Sequence, residues 1–310
     1  MILHCGEALI DFIPVLDENG NSAYKPAPGG SPYNSSIAVA RLGARALFLG
    51  RVSRDFFGDQ LITNLEKNGV DTSHVVRTDQ PSTLAFVKKT QTGEARYAFF
   101  VADAADRGLL PEDIPKPLPE GVKGIVFGSI SLIPDPVSST VLELVEREAE
   151  NRVISFDPNI RTILIENEEE YRNRVDRAVA ASTIVKIRDE DLEWVAPGVE
   201  IREAARSLLG GRTKLVVVTL GAEGAIAATA KGLFSVSGVD TDVSDTVGAG
   251  DSFHAALLAW LSRKKKLSLQ GVATLDKEAV EEMLQFSARV AAKTCSRPGA
   301  DPPYLRELSG

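Results

Sequence analysis

Asp245-Thr246-Val247-Gly248-Ala249-Gly250-Asp251, running on into Ser252-Phe253-His254-Ala255-Ala256-Leu257-Leu258-Ala259-Trp260-Leu261, is the stretch whose reading decides the fold. Phe253, Ala256, Leu257, Trp260 and Leu261 recur at helical spacing and predict one apolar helix face. The small residues before them form a turn that feeds directly into the helix. Gly248 and Gly250 allow backbone approaches that a Cβ would forbid. A turn of this kind leaves the first N–H groups of the helix, and the positive end of its dipole, pointing at one spot. That spot is an anion site, and phosphate is its usual occupant. Asp251 has two readings here. It is either a plain helix cap or a base that takes a proton from a hydroxyl attacking a bound phosphoryl group.

This segment closely resembles the carboxy-terminal signature of the ribokinase-like (PfkB-type) sugar kinases, and further similar segments are spread over nearly the whole chain. The resemblance implies that the backbone of Gly248, Ala249 and Gly250 holds the transferring phosphoryl group and that Asp251 is the catalytic base. It also implies a three-layer α/β/α fold with a mostly parallel sheet and a small β-sheet lid. The domain would span residues 1–310, with lid strands from about 12–30 and 82–102.

Length and composition fit that expectation. At 310 residues the chain is long enough for one large α/β domain or two ordinary ones. A net charge of −8 argues against a nucleic-acid or anionic-membrane partner, because both need clustered cations. The basic run Arg263-Lys264-Lys265-Lys266 reads as a solvated helix end. Cys5 and Cys295 are too far apart in sequence to suggest a framework, and His4, His74 and His254 are scattered, so no zinc or iron site is expected. No leader pattern opens the chain and no apolar run reaches membrane-spanning length, so a cytoplasmic location is expected.

Toward the amino terminus, Ile2 to Pro14 reads as a strand broken near Gly6 and resumed. Asp11 lies within its apolar run, either as a turn residue at a strand edge or as a carboxylate facing a cleft. Asn19-Gly20 is a hairpin signal. Gly29-Gly30-Ser31-Pro32-Tyr33-Asn34 leads into a helix closed by Gly43. Gly-Gly-x-x-x-Asn is similar to the family's amino-terminal signature, which implies that Gly29, Gly30 and Asn34 contact the sugar together with Asp11. Ala46 to Val52 is expected to be a strand and Gly58 to Asn68 a helix. Thr83 to Thr90 and Ala95 to Val101 alternate as strands around a hairpin at Gln91-Thr92-Gly93-Glu94, with aromatic residues expected in the lid's own core.

From Gly121 onward strands and helices alternate. Gly124 to Gly128 and Val153 to Phe156 are apolar strands, the second ending in Asp157-Pro158-Asn159-Ile160-Arg161. Polar residues at the carboxyl end of a parallel strand are where open α/β sheets bind ligands. By the resemblance Asn159 lies near the sugar or the transferring phosphate. Arg161 has two readings, a cation for that phosphate or a surface helix cap. After the strand Thr183 to Ile187, relatives carry a Lys followed by Asn-x-x-Glu or Ser-x-x-Glu, which helps hold magnesium through water. This chain keeps Lys186 but has Arg188 and Asp191 instead, so magnesium use is expected with Asp191 in an altered geometry. Thr219, Gly221 and Gly224, after the strand Leu215 to Leu220, together with Ser287, are expected on the nucleotide side. Asp245 and the Val247 carbonyl are implied as ligands of a potassium ion, against the simpler reading that Asp245 caps its own turn.

The expected reaction is therefore phosphoryl transfer from Mg·ATP to a small sugar. Gly6-Glu7-Ala8-Leu9-Ile10-Asp11 and Asp157-Pro158-Asn159-x-Arg161 look most like the fructokinase branch, which implies fructose. A 2-keto-3-deoxy sugar acid, another ketose or a nucleoside is the alternative substrate. A sugar-binding regulatory protein on the same fold is the non-enzymatic alternative, and a homodimer through the lid is a further implication. A nicotinamide oxidoreductase is disfavoured because no Gly-x-Gly-x-x-Gly follows an early strand.

Overall fold

Continuous apolar runs such as Leu215-Val216-Val217-Val218 suit strands covered on both faces, and that is how they are used. The computed structural model describes residues 1–89 and 95–308, without the side chains of 88–89 and 95–97. The hairpin expected at Gln91-Thr92-Gly93-Glu94 lies outside the described residues.

In chain order the strands are β1 (Ile2–Cys5), β2 (Leu9–Leu16), β3 (Ser22–Gly29), β4 (Ala46–Leu49), β5 (Arg51–Ser53), β6 (Val76–Thr78), β7 (Thr83–Lys89) and β8 (Ala95–Phe100). They continue with β9 (Gly124–Gly128), β10 (Val153–Asp157), β11 (Ile184–Arg188), β12 (Leu215–Thr219), β13 (Ala225–Thr229) and β14 (Gly232–Val236). The helices are α1 (Ser31–Arg41), α2 (Phe56–Lys67), α3 (Val137–Glu148), α4 (Glu168–Ala181) and α5 (Asp189–Val195), then α6 (Ile201–Ser207), α7 (Ala249–Arg263), α8 (Leu269–Ala273) and α9 (Lys277–Cys295).

An eight-stranded sheet runs in the order β14-β13-β12-β11-β10-β9-β1-β4. It is parallel from β12 to β4, with β13 and β14 antiparallel at one edge. Alternation along each strand divides its side chains between two cores. Ile2, Val126, Val153 and Val217 face α1, α2, α7 and α9. Leu3, Ile125, Ile154 and Val216 face α3, α4, α5 and α6. The result is three layers, as expected.

Two local expectations are corrected. The helix predicted to have one apolar face is instead buried all round from Asp251 to Leu261, because α7 packs between α1 and α9. The single strand expected over Ala46 to Val52 is two strands. A Cβ at Gly50 would come within 2.5 Å of the Gly6 carbonyl, and past that contact β5 leaves the large sheet to pair with β6.

β3-β2-β7-β8 form a second, mixed sheet from the segments expected of the lid. β2 pairs antiparallel with β3 and parallel with β7, and β7 is antiparallel to β8. Its two faces differ sharply. Leu9, Asp11, Ile13, Val87 and Phe99 point into a cavity above the large sheet. On the opposite face Phe12 stacks on Phe86 at 4.5 Å, while Tyr24 and Phe100 meet Phe86 edge-on. Phe100 is 62% exposed. Of the aromatics expected in the lid's own core, Phe86 and Phe100 cluster on this face with Phe12 and Tyr24, whereas Phe99 lines the cavity. This second face is covered where Phe12 meets Phe57 of α2 edge-on at 5.7 Å, and open at Tyr24 and Phe100.

Candidate active site

The cavity, about 430 Å³, sits where the parallel strands end and the four-stranded sheet overhangs. Crevices at the carboxyl ends of parallel strands bind ligands because loops there carry polar groups that the strands cannot. Its floor is the start of α7. Gly248 takes a left-handed φ of 75°, and a Cβ there would come within 2.7 Å of that of Ala300, so only glycine closes this turn. Gly250 follows, and a Cβ at that position would stand 3.2 Å from Lys186 Nζ. The backbone thus approaches a buried ammonium at the point where the free N–H groups of α7 converge.

Asp251 occupies the third position of α7, and its side chain bonds another helix rather than its own. Ser31 Oγ donates to Oδ1 at 2.7 Å, and Asn34 Nδ2 donates to Oδ2 at 2.9 Å. Both donors sit in the first turn of α1, opened by Gly30. This removes the helix-cap reading. Burial pushes the Asp251 carboxyl above its ordinary range, opposed by the two hydrogen bonds and Lys186, with Asp157 adding to the rise. Its proton affinity is therefore greater than that of an exposed aspartate, which suits a base.

Asp11 faces the same cavity from β2. Burial raises its carboxyl to about 7, with Arg161 opposing and Asp251 adding. Gly29 gives this carboxylate room, since a Cβ there would lie 2.1 Å from Asp11 Oδ2. Asn159 and Arg161 line the wall beyond β10. Asn159 holds a left-handed φ of 39°, unusual for a residue with a side chain and a feature that clusters at functional sites. The Arg161 guanidinium donates to the carbonyls of Asn159 and Ile160. Lys186, from β11, donates to Asp157 Oδ2 at 2.8 Å, and both are buried. His254 shares a 2.6 Å hydrogen bond with Ser155 Oγ and has its Nδ1 4.0 Å from Asp157 Oδ2; burial lowers its imidazole to about 3, so it stays neutral.

Several expected residues fall elsewhere. Asp191 is buried in α5, gripped by Arg188 Nη2 at 2.9 Å and Nε at 3.0 Å, and also accepts from the Ile160 amide. It is Arg188, not Asp191, that lines the cavity. The departure from the relatives' motif thus puts a guanidinium at the Asn or Ser position, and this guanidinium ties down the carboxylate at the Glu position. Ser287 is fully buried and donates to the Met283 carbonyl one turn back, so its side chain has no surface to offer a nucleotide. Thr219, Gly221 and Gly224 lie outside the cavity lining. At Gly224, a φ of 109° and a Cβ position 2.1 Å from the Val236 carbonyl show that glycine is needed to close the β12–β13 turn.

Asp245 caps its own turn through the Val247 amide at 3.2 Å, and its other oxygen accepts from Gly299 at 3.1 Å. The Ser244 and Asp245 amides both donate to the Cys295 carbonyl. The turn before α7 is therefore stitched to the loop after α9. Among the described residues no cluster of three or more His, Cys, Asp or Glu forms a cage for a metal. A divalent ion carried on nucleotide phosphates with its own waters does not need one. Asp157 Oδ1, buried and without a hydrogen-bond partner, is the group in this cavity fitted to receive such a water.

Sequence reasoning missed Ser31, Glu7 and any role for Asp157. Ser31 sat inside a quoted motif, but nothing local distinguishes its hydroxyl from that of Ser35 or Ser36.

Comparison with known proteins agrees with this geometry. Residues 1–307 match the pfkB family carbohydrate kinase model. A fructokinase of Rhizobium leguminosarum bv. trifolii is 41% identical over 280 residues, covering 90% of this chain and 85% of the relative. The crystal structure of fructokinase with bound ATP from Xylella fastidiosa superposes with a TM-score of 0.91 at 29% identity, covering 99% of this chain and 96% of that one. A double mutant of fructokinase from Vibrio cholerae O395, in a fructose, ADP and potassium ion bound form, gives a TM-score of 0.87 at 29% identity, covering 99% and 96% of the two chains. With Asp251, Asp11 and the glycine turn at the head of α7 facing one cavity, and with the family model matched over residues 1–307, this chain belongs to the pfkB family of carbohydrate kinases.

Proposed function

We propose that this protein is an ATP-dependent fructokinase, and that residues 1–310 act as one unit with the four-stranded sheet as its lid. The observation that carries the catalytic reading is Asp251, held by Ser31 and Asn34 at the head of α7 and in the same cavity as Asp11. In this reading Asp11, Gly29, Gly30 and Asn159 hold the sugar, while Asn34 contacts it and also orients the base. Asp251 accepts the proton of the attacking hydroxyl. The Gly248 to Asp251 amides steady the charge on the transferring phosphoryl group, with Lys186 and Arg161 as nearby cations. Magnesium, bound with the nucleotide, would neutralise phosphate charge, and Asp157 is the residue placed to hold one of its waters. Potassium is assigned to the stitched turn at Asp245 and Val247, where it would order the amides without entering the anion hole. Lid closure excludes the water that competes with the sugar as acceptor.

The open aromatic face of the lid is assigned to a second copy of the chain, since contiguous exposed apolar surface marks an interaction site. The protein is assigned to the cytoplasm; among the described residues no helix is long and apolar enough to cross a membrane. The test is ATP consumption with fructose in a panel that includes glucose, 2-keto-3-deoxygluconate and a nucleoside. Turnover highest with fructose supports the reading. Turnover confined to another member of the panel moves the substrate, and none with any member removes the activity.

A further inference from the structure

Glu7 belongs to neither sheet. It stands in the step between β1 and β2, where the chain leaves the large sheet, and is 1% exposed. A buried carboxylate is costly unless its oxygens are satisfied, and here both are. Oε1 accepts from the Ser31 amide at 3.0 Å and Oε2 from the Ser131 hydroxyl, while the Glu7 amide donates to Ser131 Oγ at 2.9 Å. Burial still raises the group to about 7, countered by these hydrogen bonds rather than by a cation.

The Ser31 amide is the first N–H of α1, a helix with glycine at its N-cap, no side-chain cap and no acidic residue in its own first turn. Such a helix start lacks both an acceptor for its orphan amides and a charge to complement its dipole. Glu7 supplies both from 24 residues away. The same Ser31 then reaches Asp251 Oδ1 through Oγ, and Asn34, three residues on in the same turn, reaches Oδ2.

We infer that Glu7 is a positioning residue for the reaction, a remote carboxylate cap that fixes the first turn of α1 so that Ser31 and Asn34 hold both oxygens of Asp251. The inference rests on the reading of Asp251 as the base. Groups facing Asp251 from other elements are Asp157 on β10, Lys186 on β11 and Asp11 on β2. Cys5 on β1 and Tyr171 on α4 feel the charge of Glu7.

The experiment compares wild type with Glu7→Ala, Glu7→Gln, Ser31→Ala and the Glu7→Ala/Ser31→Ala pair. It measures amide exchange at Ser31, the titration of Asp251 by NMR, and the pH dependence of kcat with fructose. In Glu7→Ala, protection of the Ser31 amide should fall about tenfold, the scale of losing a helix cap, and kcat should fall with it. Because the Ser31 hydrogen bond holds the Asp251 pKa down, loosening it should move that titration, and the acid limb of kcat, to higher pH. KM for ATP should stay put. Glu7→Gln keeps an acceptor for the Ser31 amide and should recover most of kcat. The double variant should lose less than the two single losses combined, since both act through one contact.

Unchanged Ser31 exchange, an unmoved Asp251 titration, or full additivity of the two variants would each overturn the inference. Wild-type protein that consumes no ATP with any sugar would remove the kinase reading alone, and exchange and titration would still decide the link from Glu7 to Asp251. Should Glu7→Ala fail to fold, Ser131→Ala loosens Oε2 with Glu7 in place. It should shift the Asp251 titration in the same direction by a smaller amount, and no shift would count against the inference.

Discussion

Replacing Asp251 by asparagine removes the base while leaving the site nearly intact. Asparagine has the same shape, and its Oδ1 can accept from Asn34 Nδ2 as the carboxylate does at 2.9 Å. Its Nδ2 then faces Ser31 Oγ, now 2.7 Å from the carboxylate, and a hydroxyl can turn from donor to acceptor. Both contacts survive, so the first turn of α1 should stay in place. The effect on stability follows from the direction of the pKa shift. The folded-state pKa of Asp251 is raised by burial, so the ionised carboxylate costs stability, and that cost grows as pH rises through the folded pKa. Asparagine carries no such cost, and melting at pH 8 should be no lower than in wild type.

Turnover should behave oppositely. General-base catalysis typically contributes about 10² to 10⁴ in rate, or about 2.7 to 5.4 kcal/mol at roughly 1.36 kcal/mol per decade. A loss of at least about a hundredfold in kcat is expected, with sugar affinity changed far less. A coupled assay for ADP release at saturating ATP, alongside calorimetric melting, reads both quantities. A helix cap would give the reverse pattern, with about 1 kcal/mol of stability lost on Asp251→Ala and catalysis preserved. Near-normal turnover in Asp251→Asn would refute the assignment of the base.

Asp11→Ala should raise KM for the sugar by roughly tenfold or more, the value of a hydrogen bond to a charged acceptor, while KM for ATP stays nearly constant; no change in either would make Asp11 a structural residue. Because the Asp11 carboxyl lies at about 7 and only its ionised form accepts hydrogen bonds from hydroxyls freely, KM for the sugar should fall as pH rises through that value. Asp11→Asn should lose this dependence, and an equally steep profile in the variant would refute it. Potassium should raise turnover at saturating ATP more than sodium does, with magnesium unable to substitute; equal rates at matched ionic strength without potassium would leave Asp245 as a turn cap only. Light scattering should give a dimer for wild type and a monomer for Phe100→Asp, and a monomeric wild type would free the lid's outer face from that role.

Local chemistry made much of this protein legible in its sequence. Apolar runs and their spacing gave the parallel strands and the helices between them, because burial on two faces demands such runs. The glycine turn at Gly248-Ala249-Gly250 and the helix start after it were legible as well, because a turn against a helix start is specified by adjacent residues. The segments Thr83 to Thr90 and Ala95 to Val101 were readable as a two-faced sheet through alternation, while the segment after Asp11 joined them only by the family resemblance. What lay beyond reach depends on distant residues meeting. Whether Asp251 capped its own helix was open until Ser31 and Asn34, more than 200 residues away in sequence, were found on its two oxygens. Asp191 was expected near magnesium by its spacing from Lys186, yet the side chain of Arg188 turns back upon it. Ser287 resembled a nucleotide contact, but the packing of α9 buried it. Glu7 passed as one residue of a strand-like run, because its partners Ser31 and Ser131 come from the start of α1 and from the segment after β9. Sequence specifies periodicity and turn chemistry through neighbours a few residues apart. Which oxygens are left free, and which donors find them, is decided only when the layers close.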